Sequence, residues 1–217
     1  MGSASYRVTG LAFLVACTAY WVGEAVAAHA WSTPAYSYAD NLISDLGVTS
    51  RTVFDDRIAD SPRSWALNGA WVLNALLVSW AATRAPGFRA AGRLGQCMFG
   101  FTLAYAVGLV TIAFFHETPS ETFPFHFIGA VLAIGGGNVV VLLAAVQSRR
   151  LRWPPLLTGA LTVLATVGSV SCLLHPVLHV EAAGTFERLA AYPVLAAQLV
   201  AGVALLLNRP AARPAAP

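Results

Sequence analysis

A short polar segment, YSYADNLISDLG at residues 36–47, holds a dense group of side chains that could do chemistry. Its apolar residues recur at helical spacing, which predicts a short amphipathic helix. Ser37 and Asp40 are typical of a capping pair at its start, and Gly47 suits a left-handed stop at its end. The other face carries polar groups that could act as base, nucleophile or ligand: Asp40, Asn41, Ser44 and Asp45. Such a helix lies in the membrane interface or dips into a bundle.

Three histidines could bind a metal. His175 and His179 have the HxxxH spacing that places two rings on one face of a continuous helix, a common pair of zinc ligands. Pro176 between them disfavours helical geometry at His175. If His126 and a carboxylate of the 36–47 segment converged with them, zinc would keep one position for an activated water. The alternative is that these imidazoles only line the headgroup region.

Two further polar residues are expected within apolar runs. Glu24 is an intramembrane acid, which is costly and marks a functional candidate, although pairing with Arg63, Arg188 or a histidine would make it structural. Asn68 could contact a ligand, but bridging between helices is the more common role.

The composition defines the class. Of 217 residues, 57% are hydrophobic and only 11% are charged, whereas soluble domains carry about 25% charged residues. Six apolar runs are long enough to cross a bilayer as helices: 8–30, 64–83, 94–115, 124–147, 155–175 and 186–207. The sequence therefore predicts an all-α, six-helix membrane domain over 1–207 and a disordered Pro/Ala-rich tail over 208–217. The first run has small-x-small sites typical of a signal peptide, but its length favours a span.

Arginine placement predicts the orientation. All thirteen basic residues are Arg, and nine of them fall on one side of the six-span arrangement, which makes that side and both termini cytoplasmic. The acids and histidines then lie on the outer side. The net charge of +3 reflects this topology and does not indicate nucleic-acid binding. Exclusive use of Arg and the Ala-rich composition indicate a high-GC bacterium, and hence its inner membrane.

Small residues recur along the fourth run. Gly129, Ala133 and Gly137 have the four-residue spacing that allows helices to approach closely in lipid. A hinge or room for a ligand would use the same glycines, but packing is the favoured interpretation.

Four segments in a fixed order carry a family resemblance: NLISDLG, SPRSWALNGAW, FPFHFIGA and GTFERLAAYP. Over roughly 8–207 the chain resembles the prokaryotic multi-span membrane family catalogued as domain of unknown function 998. The family brings no established activity. The resemblance implies a compact bundle with motif positions at Ser44, Asp45, Asn68, His126, Glu187 and Arg188. Glu187 and Arg188 are accordingly expected to contact a substrate, together with Asn41 and Asn68.

A looser likeness is to alkaline-ceramidase-like membrane hydrolases. These combine an early Ser, Asp and His with a late HxxxH that binds zinc, although they have seven spans. The likeness implies such roles for Ser44, Asp45, His175 and His179.

These observations predict an integral membrane enzyme that acts on a lipid or isoprenoid-like substrate at an outer polar site. In the form with zinc, hydrolysis would use His126, His175 and His179 as ligands, Asp45 or Asp40 as ligand or base, and Ser44 to position the substrate. In a form without metal, Asp45 or Glu24 would protonate an alkene or epoxide and start an isoprenoid cyclisation. The remaining alternative is a small transporter or assembly protein.

Overall fold

The computed structural model describes residues 3–54, 57–85, 88, 92–174 and 182–207. Within this part of the chain, six helices are long and apolar enough to cross a membrane. They are α1 Ser3–Ala30, α2 Ser64–Arg84, α3 Arg93–Phe114, α4 Phe123–Arg150, α5 Pro155–Leu174 and α6 Ala183–Leu207. The chain is a multi-pass membrane protein, as its composition predicts. The tail 208–217, His175 and His179 lie outside the described residues.

The helices form a closed ring in chain order. Each helix from α1 to α5 packs against the next one, and α6 packs against both α5 and α1. Successive helices run in opposite directions, so the segments 31–63 and 115–122 lie at the same end of the ring. Large apolar side chains such as Leu76 and Leu156 point outward, as expected for a surface that faces lipid.

Small residues let the helices approach closely, as the sequence predicts. A Cβ on Gly108 of α3 would lie 2.5 Å from the carbonyl oxygen of Gly129 and would meet the backbone nitrogen of Ala133 on α4. A Cβ on Gly137 would lie 2.9 Å from Val194 of α6. The predicted stripe on α4 is therefore a packing surface. Within the same stretch, residues Val131–Gly135 form a π-helical turn between two α-helical parts of α4.

The prediction of a helix over 36–47 is wrong in its extent. The segment is a series of turns that ends in one 3₁₀ helix, Ser44–Gly47. The predicted pair at its start does form, since the Ser37 hydroxyl donates to Asp40 at 2.6 Å. Two backbone N–H groups then bind side chains in place of helical carbonyls: Leu42 N donates to Asp45 at 2.9 Å, and Ile43 N donates to Glu187.

The 3₁₀ helix dips into the bundle. Ser44, Asp45, Leu46 and Gly47 are all buried. Gly47 does not adopt the left-handed conformation predicted for it. It is required for a different reason, because a Cβ there would lie 2.8 Å from the Trp71 ring and 2.9 Å from the Asn68 side-chain oxygen of α2.

A small hairpin interrupts the otherwise helical architecture. Strands β1 Thr52–Phe54 and β2 Arg57–Ala59 pair antiparallel, with Val53 opposite Ile58. The sequence indicates only a solvated loop here. The hairpin instead brings Arg57 over the bundle, where its side chain is 20% exposed.

The packing of α3 predicts that substitution by alanine destabilises the protein at one of its glycines and not at another. Gly108→Ala is expected to lower the stability by about 1–3 kcal/mol, because the added methyl group meets the backbone of α4. Gly100→Ala is the matched control, since a Cβ there meets nothing within 4 Å. Thermal unfolding of the detergent-purified protein should separate the two variants. Equal stability of both would contradict the close approach.

Candidate functional site

Polar residues collect at one end of the ring. This end, called here the polar end, comprises the loops 31–63 and 115–122 and the helix ends that join them. Five of its ionisable residues are buried: Glu24, Asp45, Glu117, His126 and Arg188. Burial of this many charged groups is unfavourable unless each is paired or hydrogen-bonded, so their partners define what the polar end can do.

Arg188, in the first turns of α6, ties the loop 36–41 to the bundle. Its Nε and Nη2 contact Glu24 Oε1 at 3.1 and 3.0 Å. Its Nη1 donates to the carbonyl oxygens of Tyr38 at 2.8 Å, Asn41 at 2.9 Å and Gly184 at 3.0 Å, and its Nη2 also donates to the Tyr36 hydroxyl. All five N–H groups are thus engaged, and the guanidinium acts as a structural anchor.

Three tyrosines complete this anchor. The guanidinium of Arg188 lies 4.7 Å from the centre of the Tyr38 ring, which is a cation–π contact. Tyr192 donates its hydroxyl to Glu24 Oε1 at 2.9 Å. Burial raises the pKa of Tyr36 well above its ordinary value, so its hydroxyl keeps its proton at physiological pH.

A second ionic cluster closes the polar end above the 3₁₀ helix. Arg57 lies 3.4 Å from Asp45 Oδ2 through its Nε and 3.3 Å from Glu117 Oε1 through its Nη2. The Ser44 hydroxyl donates to the other oxygen of Glu117. This cluster joins the hairpin, the 3₁₀ helix and the loop after α3.

His116 and Asn68 also link elements at the polar end. The Asn68 amide donates to the Gly47 carbonyl oxygen at 2.9 Å and lies 3.3 Å from His116 Nε2. Burial lowers the pKa of His116, so the imidazole is neutral at pH 7. Asn68 is therefore a bridge between elements, one of the two roles that its position in the sequence allows.

His126 has a fixed tautomer. Its Nδ1 lies 2.7 Å from the Phe115 carbonyl oxygen. Because a carbonyl oxygen only accepts, Nδ1 carries the proton and Nε2 keeps its lone pair. The ring is 5% exposed and stacks on Phe123. A buried imidazole held in this way is available as a base or as a metal ligand.

His126, Ser44 and Glu187 line one cavity of about 30 Å³. Glu187 is partly buried, and one of its carboxyl oxygens accepts the Ile43 N–H. Aromatic and aliphatic side chains form most of the remaining wall: Tyr20, Ile43, Trp71, Tyr105, Leu109, Ile112, Ile134, Val194 and Leu195. The π-helical turn of α4 contributes part of that wall, and π-helical turns are frequent at functional sites. A carboxyl, a hydroxyl and an imidazole therefore line the same largely apolar cavity.

The structure places the other candidate residues elsewhere. Asp40 is exposed and bonded to Ser37, and the Asn41 side chain accepts the Ser37 N–H. Asp45 and Glu24 are held in ion pairs by Arg57 and Arg188.

The predicted zinc site depends on His175 and His179, which lie outside the described residues. Within the described part of the chain, His126 does not join a group of three metal-ligating side chains. Zinc binding therefore stays a prediction.

A buried polar cluster near the middle of the bundle was missed by the sequence reasoning. Asn74 donates to Gln198 at 3.0 Å, Gln198 donates to the Tyr105 hydroxyl at 3.0 Å, and Tyr105 donates to Asn74 at 2.9 Å. The cluster joins α2, α3 and α6. The signal for it was present, because amide side chains inside apolar runs commonly bridge helices in lipid.

The six apolar helices and the buried polar end define a multi-pass membrane protein with an enclosed polar site at one end. The chain belongs to the family described as Protein of unknown function (DUF998), whose model matches residues 14–204. No curated protein and no solved structure matches the chain. The likeness to alkaline-ceramidase-like hydrolases is not shown by these comparisons.

The anchoring role of Arg188 makes a stability prediction. Arg188→Met should cost about 3–5 kcal/mol, because it leaves the buried Glu24 carboxylate without its cation. Adding Glu24→Gln should restore part of that loss. Arg51→Met is the control, since Arg51 pairs with Asp60 at the surface and its side chain is 60% exposed; its cost should stay within about 1 kcal/mol.

Unfolding of the purified variants in detergent measures these differences. If Arg188→Met were no more destabilising than Arg51→Met, the buried anchor would be refuted.

Proposed function

We propose that this protein is an enzyme that performs acid–base chemistry on a lipid or isoprenoid-like substrate, at the outer side of a bacterial inner membrane. The observation that carries the proposal is the shared cavity of Glu187 and His126. A carboxyl and a neutral imidazole on one apolar enclosure supply a proton donor and a proton acceptor. Because the enclosure is largely apolar, little water competes with the substrate for these two groups.

The chemistry that fits is an isomerisation started by a proton. Glu187 donates its proton to a carbon of an alkene, and the resulting cation closes a ring or shifts a double bond. His126 Nε2 then removes a proton from a neighbouring carbon, so the product has the composition of the substrate. The proton returns to Glu187 through solvent. Tyr20, Trp71 and Tyr105 line the cavity, and aromatic rings can stabilise positive charge in the substrate.

Glu187 takes the acid role in this proposal in place of Asp45 or Glu24. The carboxylate of Asp45 contacts Arg57, and that of Glu24 contacts Arg188 and Tyr192. Neither residue lines the cavity.

The size of the cavity limits what it holds. A volume of about 30 Å³ admits little more than one water-sized group. Only the reactive end of a substrate would therefore occupy it.

Hydrolysis is the second candidate, because Ser44 lines the same cavity as His126. A lipid ester would then be positioned by Ser44, with His126 as base or as a zinc ligand beside His175 and His179.

Comparison of lipid extracts tests the proposal. Membranes of cells that express the wild-type protein, Glu187→Gln or His126→Asn are incubated and analysed by untargeted mass spectrometry. Each substitution should slow the consumption of the substrate by at least about 100-fold, since positioned acids and bases contribute 10²–10⁴-fold. Glu121→Gln and His29→Asn are the matched controls, because both residues are exposed.

The product mass separates the candidates. An isomer of the substrate supports proton transfer, and a product heavier by one water or split into two supports hydrolysis. If wild-type and variant membranes gave the same extracts, with folded protein in each, the enzymatic proposal would be refuted and a transport or assembly role would be favoured.

A further inference from the structure

Two further cavities continue from the polar one toward the other end of the bundle. Each has a volume of about 70 Å³. Tyr105 and Val194 line both the polar cavity and the middle one. The middle and far cavities share five wall residues: Phe13, Phe88, Met98, Ala144 and Ala201. The three cavities are thus consecutive, because each shares wall residues with the next.

The walls of the middle cavity offer little to a polar ligand. Thr102 donates its hydroxyl to the Met98 carbonyl oxygen at 2.8 Å, so it is already satisfied. Gln198 belongs to the cluster with Asn74 and Tyr105. Most other lining residues are aliphatic or aromatic. The polar side chains Gln147 and Ser148 mark the far end.

The length of this series matches a hydrocarbon tail. Glu187 lines the polar cavity, and Ala201 on the same helix lines the middle and far ones. Fourteen residues separate them, which corresponds to about 21 Å along a helix. The hydrocarbon core of a bilayer is about 30 Å thick in total, so the series is longer than one leaflet.

We infer that the middle and far cavities bind the hydrocarbon tail of the substrate, an unbranched or isoprenoid chain whose reactive end lies at Glu187 and His126. This inference rests on the proposed function, since the same site supplies the chemistry. Tail and bilayer are equally apolar, so binding depends on close contacts with the walls. Binding in these cavities orients the substrate, because a tail held there places the reactive end beside the acid and the base.

Tyr105 separates the reactive end from the tail in this arrangement. Its ring lines both the polar and the middle cavities, and its hydroxyl is held by Asn74 and Gln198. A tail that extends from the polar cavity into the middle one therefore lies beside this ring.

Photo-crosslinking tests the tail site without requiring turnover. The full chain in lipid nanodiscs is incubated with a farnesol-length alcohol that carries a diazirine at its tail end, and labelled peptides are identified by mass spectrometry. The label is expected on the peptides that contain Phe13, Phe88 or Met98. Label confined to outward-facing residues such as Leu142 and Val146 would overturn the inference.

Two substitutions on α4 provide the matched comparison. Ala144→Phe fills the boundary of the middle and far cavities and should lower labelling at least 10-fold. Val146→Phe adds the same ring on a side chain that is 41% exposed, and labelling should be unchanged. If Ala144→Phe does not fold, Ala201→Leu fills the same boundary from α6. Equal labelling of the filled variant and the control would overturn the tail site.

A Glu187→Gln variant separates the two proposals. It should keep tail labelling while turnover is lost. Turnover in the wild type without internal labelling would overturn the tail site alone, and internal labelling without any turnover would overturn the enzymatic proposal alone.

Discussion

The buried guanidinium of Arg188 is the contact on which the polar end depends. A desolvated cation is tolerated only when its charge and its donors are satisfied, and Arg188 meets that condition by binding Glu24 of α1 and three backbone carbonyl groups. Two of these carbonyls belong to the loop 36–41. The same interactions that satisfy the charge therefore fix the loop, and with it the position of Ser44 above the cavity.

The ring of helices accounts for the rest of the site. Small residues on α3, α4 and α6 let the helix backbones approach closely at some positions along the bundle. At other positions, larger side chains keep the helices apart and leave small cavities between them. Direct backbone contact and axial cavities are thus two results of one packing pattern. Near the middle of the bundle, the buried polar groups of Asn74, Tyr105 and Gln198 bond one another.

Local sequence patterns predicted the spans because length and hydropathy act within a single segment; the observed helices end close to the predicted limits. The helix over 36–47 was wrong because partners far along the chain decide that segment: Glu187 accepts the N–H of Ile43. The position of Arg57 escapes local patterns for the same reason, since its side chain contacts Glu117, which lies 60 residues further along the chain. Ser44, His126 and Glu187 were foreseen as candidates, but their shared cavity was not.

Isotope labelling tests the central claim, proton transfer from Glu187 to a carbon atom, most directly. Wild-type membranes would be incubated with substrate in D₂O that contains H₂¹⁸O, and the product analysed by mass spectrometry and NMR. The account predicts deuterium bound to carbon in the product and no incorporation of ¹⁸O. A product that contains ¹⁸O but no carbon-bound deuterium would contradict it and would establish hydrolysis at this site.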